Sequence, residues 1–156
     1  MSGPLNLHAT TIALWCAGAW RGVLLRGPSG TGKSGLALKA REAGWRLVAD
    51  DRTVAWASGG RLFCAAPAPL EGLVEARGVG IAPVAVLPRA EAVLVVDLTD
   101  GPEGVERMPE PQTVELAGVR LPLVRLWAHD AAATAKLALA VSLCPACNPA
   151  ALGGAG

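Results

Sequence analysis

Gly27-Pro28-Ser29-Gly30-Thr31-Gly32-Lys33-Ser34 decides how the rest of the chain is read. The stretch satisfies G-x-x-x-x-G-K-[ST], and each fixed position has a physical reason. Its glycines permit backbone conformations that turn successive N–H groups inward, forming an anion nest. A helix starting near Lys33 adds its positive end. The Lys33 ammonium can reach the β- and γ-phosphates of a nucleotide, and the Ser34 hydroxyl can ligate Mg²⁺. Context supports the match. Val23-Leu24-Leu25 ahead of the loop reads as a strand, and Lys33 to Ala43 behind it reads as a helix stopped by Gly44. The expected fold is α/β: a single domain whose mixed sheet carries the phosphate-binding (Walker A) loop between a strand and a helix. The motif leaves open which group accepts the phosphoryl.

Working outward, Leu5 to Leu14 reads as a strand with His8 inside it, and residues 15–21 as a hairpin loop. Trp45 to Ala49 is a further strand, ending in Asp50-Asp51. Thr53 to Ala57 and Arg61 to Cys64 flank Ser58-Gly59-Gly60, a hairpin signal. Leu70 to Ala76 reads as a short helix closed by Gly78, and Ile81 to Val86 and Ala92 to Asp97 read as buried strands. Thr99 to Gln112 is polar and proline-rich, hence loop. Thr113 to Ala117 and Val119 to Val124 pair around Gly118. Asp130 to Leu143 is helical, with Asp130 as N-cap. The domain is expected over 1–148, with 149–156 as a disordered tail.

The totals exclude several classes. A length of 156 residues suits one core, and 52% hydrophobic against 17% charged residues argues against disorder. A net charge of +1 gives no bulk attraction to nucleic acid or an anionic membrane, and one Phe, no Tyr and five Trp make no aromatic-rich base-stacking surface. Mean hydropathy is positive, but no segment reaches the ~18 uninterrupted apolar residues of a span. Met1 to Leu7 lacks the basic region of a signal peptide. A cytoplasmic protein is the expectation. Cys144-Pro145-Ala146-Cys147 has the spacing of half a zinc site, but no second cysteine pair accompanies it. Reduced thiols on a loose C-terminal tail are the simpler reading.

Three groups of residues could carry chemistry beside the loop. Asp50-Asp51, at a strand end, could hold Mg²⁺ or take a proton from an attacking hydroxyl. Asp97 closes an apolar strand and competes for the metal role. Glu75-Ala76-Arg77-Gly78-Val79-Gly80 sets a carboxylate and a guanidinium around a glycine-rich turn, where Glu75 could face a metal and Arg77 a phosphate. Spacing alone does not separate Asp97 from the Asp50-Asp51 pair.

Taken in order, these blocks resemble the catalytic domain of the HPr kinase/phosphorylase family. The resemblance rests on His8-Ala9-Thr10, the Gly27 to Ser34 loop, Arg46 to Asp51, and Val74-Glu75-Ala76-Arg77-Gly78-Val79-Gly80-Ile81, and it spans residues 7–140. Because His8 comes so early, it is the short, catalytic-domain-only members that the chain is similar to. The resemblance implies an ATP- and Mg²⁺-dependent serine kinase acting on an HPr-like phosphocarrier protein, and dephosphorylation of that serine by phosphorolysis. It also implies a homo-oligomer, a hexamer.

By motif position the resemblance makes His8, Lys33, Asp51 with Asp50 beside it, and Arg107 catalytic. It makes Ser34 and Glu75 the Mg²⁺ ligands, and places Leu121 to Trp127 in a loop tied to dephosphorylation, with Arg125 among its basic residues. Two departures are visible: Gly35 stands where the family usually has an acidic residue, and no Pro-Gly-Arg-Asn segment is present. Two other readings use the same loop. One is a small-molecule kinase with Asp97 on the metal; the other is a nucleotide-dependent regulatory switch.

Overall fold

The computed structural model describes residues 3–68 and 72–148, so the expected disordered tail at 149–156 lies outside the described residues. The chain runs β1 (Leu5–Leu7), β2 (Ala9–Cys16), β3 (Ala19–Arg26), α1 (Lys33–Glu42), β4 (Arg46–Ala49), β5 (Thr53–Ser58), β6 (Arg61–Ala65), β7 (Leu73–Ala76), β8 (Gly80–Pro83), β9 (Ala90–Leu98), β10 (Gln112–Leu116), β11 (Val119–Leu126) and α2 (Ala133–Leu143). A short 3₁₀ turn, Pro102–Gly104, interrupts the loop after β9. The expected single α/β domain with a mixed sheet is the fold observed.

Among the described residues nine strands join one sheet, in the order β1-β5-β6-β9-β3-β2-β4, with β11 added on β9 and β10 on β11. β3 is parallel to β9, and β9 to β11. β2 runs antiparallel to both β3 and β4, which makes β3 and β4 parallel to one another. The C-terminal ends of β3, β4, β9 and β11 therefore share one edge, the place where open α/β sheets bind ligands.

The sheet curls, because β1 and β2 are separated by His8 alone yet pair with different partners. Leu7 lies opposite Thr53 of β5, while Thr11 lies opposite Ala49 of β4. His8 is thus not inside a strand, as its apolar neighbours suggested, but at the break between two. Alternation of side chains across each strand divides the core in two. Leu24, Val48, Ala55, Leu62 and Val95 fill the inside of the curl. Ile12, Val23, Leu25, Leu94 and Val96 face the helices, meeting Leu36 and Ala40 of α1 and Leu137 and Val141 of α2.

Four local readings change. The tryptophan-rich 15–21 stretch is mostly strand, because the turn needs only Ala17 and Gly18, both at positive φ (53° and 79°). Trp15 and Trp20 then lie opposite each other, edge to face at 5.5 Å. Residues 73–76 form a strand rather than a helix, hairpinned to β8 in a separate two-stranded sheet, while 70–71 lie outside the described residues. Ile81 is not buried but 72% exposed, since this hairpin packs on the domain through Val74 instead. Finally, α2 starts three residues later than expected, its N-cap Ala132 making no side-chain bond; Asp130 accepts a hydrogen bond from the Ala132 N–H ahead of it.

The C-terminal thiols are not on a loose tail. Cys144 is buried at the end of α2, and Cys147 packs against the same core as Cys16. All four cysteines are free. Burial pushes the Cys144 thiol up to about 11 and the Cys64 thiol up to about 12.

Candidate active site

β3 ends at Arg26 and the chain turns at once through the glycine loop into α1. Two positions show why glycine is needed. Gly27 has φ 154°, and a Cβ there would lie 2.7 Å from Thr31 Oγ1. Gly32 caps α1 at φ 94°, and a Cβ there would press on Ala128 at 3.0 Å. The Thr31 hydroxyl closes the loop by donating to the Pro28 carbonyl at 2.8 Å. Lys33 is only 6% exposed, its ammonium donating to the Gly27 carbonyl at 2.5 Å and the Pro28 carbonyl at 3.3 Å.

The two aspartates after β4 part company. Asp50 turns to the start of α1, accepting the Ser34 hydroxyl at 2.7 Å and the Thr10 hydroxyl at 3.1 Å. Its other oxygen accepts the Glu75 backbone N–H at 3.4 Å. Asp51 takes a left-handed backbone, φ 64°, with its N–H donating to Thr10 Oγ1 at 3.0 Å. Its carboxylate projects outward and meets His8 Nε2 at 2.8 Å. The break between β1 and β2 is what lets His8 reach it.

An open cleft of about 460 Å³ is lined by residues of the glycine loop, Asp50 and Asp51, Glu75 and Arg77, and His129, while His8 reaches it only through Asp51. Gly78 and Gly80 are not in its wall; they shape the hairpin between β7 and β8, at φ 87° and 112°. Ser34, Asp50 and Glu75 supply hard oxygen donors, the set that Mg²⁺ takes together with substrate phosphates. Among the described residues no cluster of three or more His, Cys, Asp or Glu side chains is placed to hold a metal ion.

Three sequence candidates lie elsewhere. Asp97 forms a two-pronged ion pair with Arg26, at 2.7 and 3.0 Å, and does not line the cleft. Arg107 sits in the exposed loop after the 3₁₀ turn. Arg125 is on β11 and donates to Gln112 Oε1 at 2.7 Å. The segment Leu121 to Trp127 is not a loop either, because all of it except Trp127 belongs to β11.

His129 is the residue that sequence reasoning missed. It sits on the turn after β11, and no spacing signal ties it to the glycine loop a hundred residues earlier.

The fold and cleft define a class: an α/β domain in which a glycine-rich loop joins a parallel strand to a helix, faced by carboxylates from the next parallel strand. The HPr serine kinase C-terminal domain family matches over residues 6–140, and the chain belongs to that family. The HPr kinase/phosphorylase of Streptococcus thermophilus is 37% identical over 116 residues, covering 67% of this chain and 38% of the relative. That of Streptococcus salivarius is 39% identical over the same length. The chain spans less than two fifths of the length of these curated relatives. The solved structure of the Hpr(Ser) kinase/phosphatase from Coxiella burnetii shares the fold, with TM-score 0.72, 23% identity, and coverage of 88% of this chain and 87% of that one.

Proposed function

We propose that the cleft binds ATP with Mg²⁺ and transfers the γ-phosphoryl group to a serine of an HPr-like phosphocarrier protein. One observation carries the reading. Adjacent carboxylates are split, so that Asp50 is held by Ser34 and Thr10 while Asp51 projects into the cleft against His8. A serine hydroxyl needs a base as it attacks, and Asp51 is the carboxylate free to serve. His8 would orient it. In the reverse direction, with inorganic phosphate attacking phosphoserine, Asp51 would return the proton.

The glycine loop and the N-terminus of α1 would hold the phosphates. Lys33 would move its ammonium from the Gly27 carbonyl to the β- and γ-oxygens. Ser34 and Glu75 would hold Mg²⁺, with Asp50 fixing the Ser34 hydroxyl; the ion supplies neutralisation of phosphate charge. Arg77 lines the cleft and would meet phosphate. Arg107 enters by family position alone. The cytoplasmic setting and the hexamer are part of the same proposal and rest on the family. No helix of the described residues is long and apolar enough to cross a membrane. The small-molecule kinase reading loses ground, because Arg26 already engages Asp97.

Incubation with labelled ATP, Mg²⁺ and the HPr-like proteins of the same organism is the direct test. Label is expected on a protein serine. Nucleotide binding without transfer to any protein would overturn the kinase reading in favour of a switch, and label on a small acceptor would favour the other rival.

Glu75→Gln is expected to raise the Mg²⁺ concentration needed for half-maximal transfer, because it removes one anionic ligand with little change in size. A Mg²⁺ titration of initial rates checks this. An unchanged requirement would reduce Glu75 to a surface partner of Arg77.

A further inference from the structure

We propose that His129 forms the wall that receives the nucleoside end of the nucleotide, its imidazole stacking on the base. The inference rests on the reading of the cleft as a nucleotide site and adds a direction to it.

Sheet order supplies the direction. β3, which feeds the glycine loop, is flanked by β2 and β4 on one side and by β9 and β11 on the other. His8, Asp50 and Asp51 all come from the β2 and β4 side. That flank is where the transferred phosphoryl must lie. His129 comes from the opposite flank, on the turn after β11. A nucleotide with its terminal phosphate toward Asp51 and its phosphates across the glycine loop therefore extends its nucleoside toward His129.

Local packing supports the placement. The turn rests directly on the loop, since a Cβ on Gly32 would meet Ala128 Cβ at 3.0 Å and His129 Nε2 at 3.4 Å. The ring packs against Trp127, edge to face at 5.8 Å between centroids. Asp130 pins the segment, its N–H donating to the Trp127 carbonyl and its carboxylate accepting from the Ala132 N–H and the Lys136 ammonium. His129 is the only aromatic ring among the described residues that line the cleft. Gly35, in the first turn of α1, borders the same space with no side chain, and a Cβ there would meet nothing within 4 Å. An aromatic ring beside open floor offers a nucleobase a stacking partner, and such stacking engages the π-face of a base regardless of its hydrogen-bonding edge.

The test compares ATP with inorganic tripolyphosphate, which has the phosphates and no nucleoside. Both are titrated with Mg²⁺ into the full chain as wild type, His129→Ala and His129→Phe. His129→Ala is expected to weaken ATP binding roughly 10- to 100-fold, the range that loss of one base–aromatic stack produces, and to leave tripolyphosphate binding unchanged. His129→Phe, which keeps a ring but no ring nitrogen, is expected to restore most of the ATP affinity. Two results overturn the inference while the nucleotide site stands: unchanged ATP affinity in His129→Ala, or an equal loss for tripolyphosphate, which would make His129 a phosphate or loop contact. If wild type binds neither compound, the nucleotide reading itself fails.

Discussion

Replacing Lys33 by alanine is expected to lower the proposed phosphoryl transfer by about 10²–10³-fold, the usual loss when one preorganised positive or hydrogen-bonding group facing developing phosphate charge is removed. The structure refines what the variant must be checked for. Lys33 reads from sequence as an exposed loop cation, whose loss would change stability by only about ±0.5 kcal/mol. It is in fact buried and caps the Gly27 and Pro28 carbonyls. Losing that partner costs about 1–3 kcal/mol if the carbonyls stay dry, and less if cleft water replaces the ammonium. Initial transfer rates should therefore be paired with a thermal melt. A folded Lys33→Ala protein that transfers within tenfold of wild type would remove the phosphate-loop assignment.

Asp51→Asn is expected to keep nucleotide affinity near wild type while lowering transfer to the serine by roughly 10²–10⁴-fold, the typical contribution of a positioned general base. Asparagine is the right probe because it tolerates the left-handed backbone that Asp51 adopts. Asp50→Asn should behave differently. Its carboxylate accepts the Ser34 and Thr10 hydroxyls, so the amide would disturb the Ser34 hydroxyl and with it the dependence on Mg²⁺. The measurement is nucleotide affinity beside initial rate for each variant. Near-normal rates in both would take the base role away from this pair and leave Asp97 to be tested.

The parts legible in the sequence were those set by neighbours along the chain. The glycine loop announced itself by spacing, and Ser58-Gly59-Gly60 gave its hairpin. The Asp50-Asp51 step at a strand end hinted at two carboxylates with different surroundings. What sequence could not show depends on partners far away in the chain. The β-prone, partly alternating stretch from Leu5 to Leu14 carries no sign that β1 will pair with β5 and β2 with β4, so His8 read as a strand interior. Leu73 to Ala76 has an ambiguous pattern, and only pairing with Gly80 to Pro83 makes it a strand. Asp97 looked like a metal ligand until Arg26, 71 positions away, was found to hold it. His129 stayed hidden for the same reason, since its closeness to Gly32 exists only once β11 lies beside β9.

At His8 two crossings coincide: the chain passes from β1 to β2, and at Asp50 to Arg52 it passes from β4 to β5. Because β1 pairs with β5 and β2 with β4, the sheet opens there like a zipper at its fork. Backbone pairing lapses at the fork and side chains take its place. The Thr11 and Thr53 hydroxyls meet at 2.8 Å, the Thr53 hydroxyl donates to the Ala9 carbonyl at 2.9 Å, and the Thr10 hydroxyl accepts the Asp51 N–H. The threonine stitches keep the two strips together, while the residues in the gap owe nothing to a ladder. The Asp51 N–H joins those stitches, while the His8 and Asp51 side chains meet each other in the gap, so the pair proposed to handle the proton is set by the fork and not by strand register.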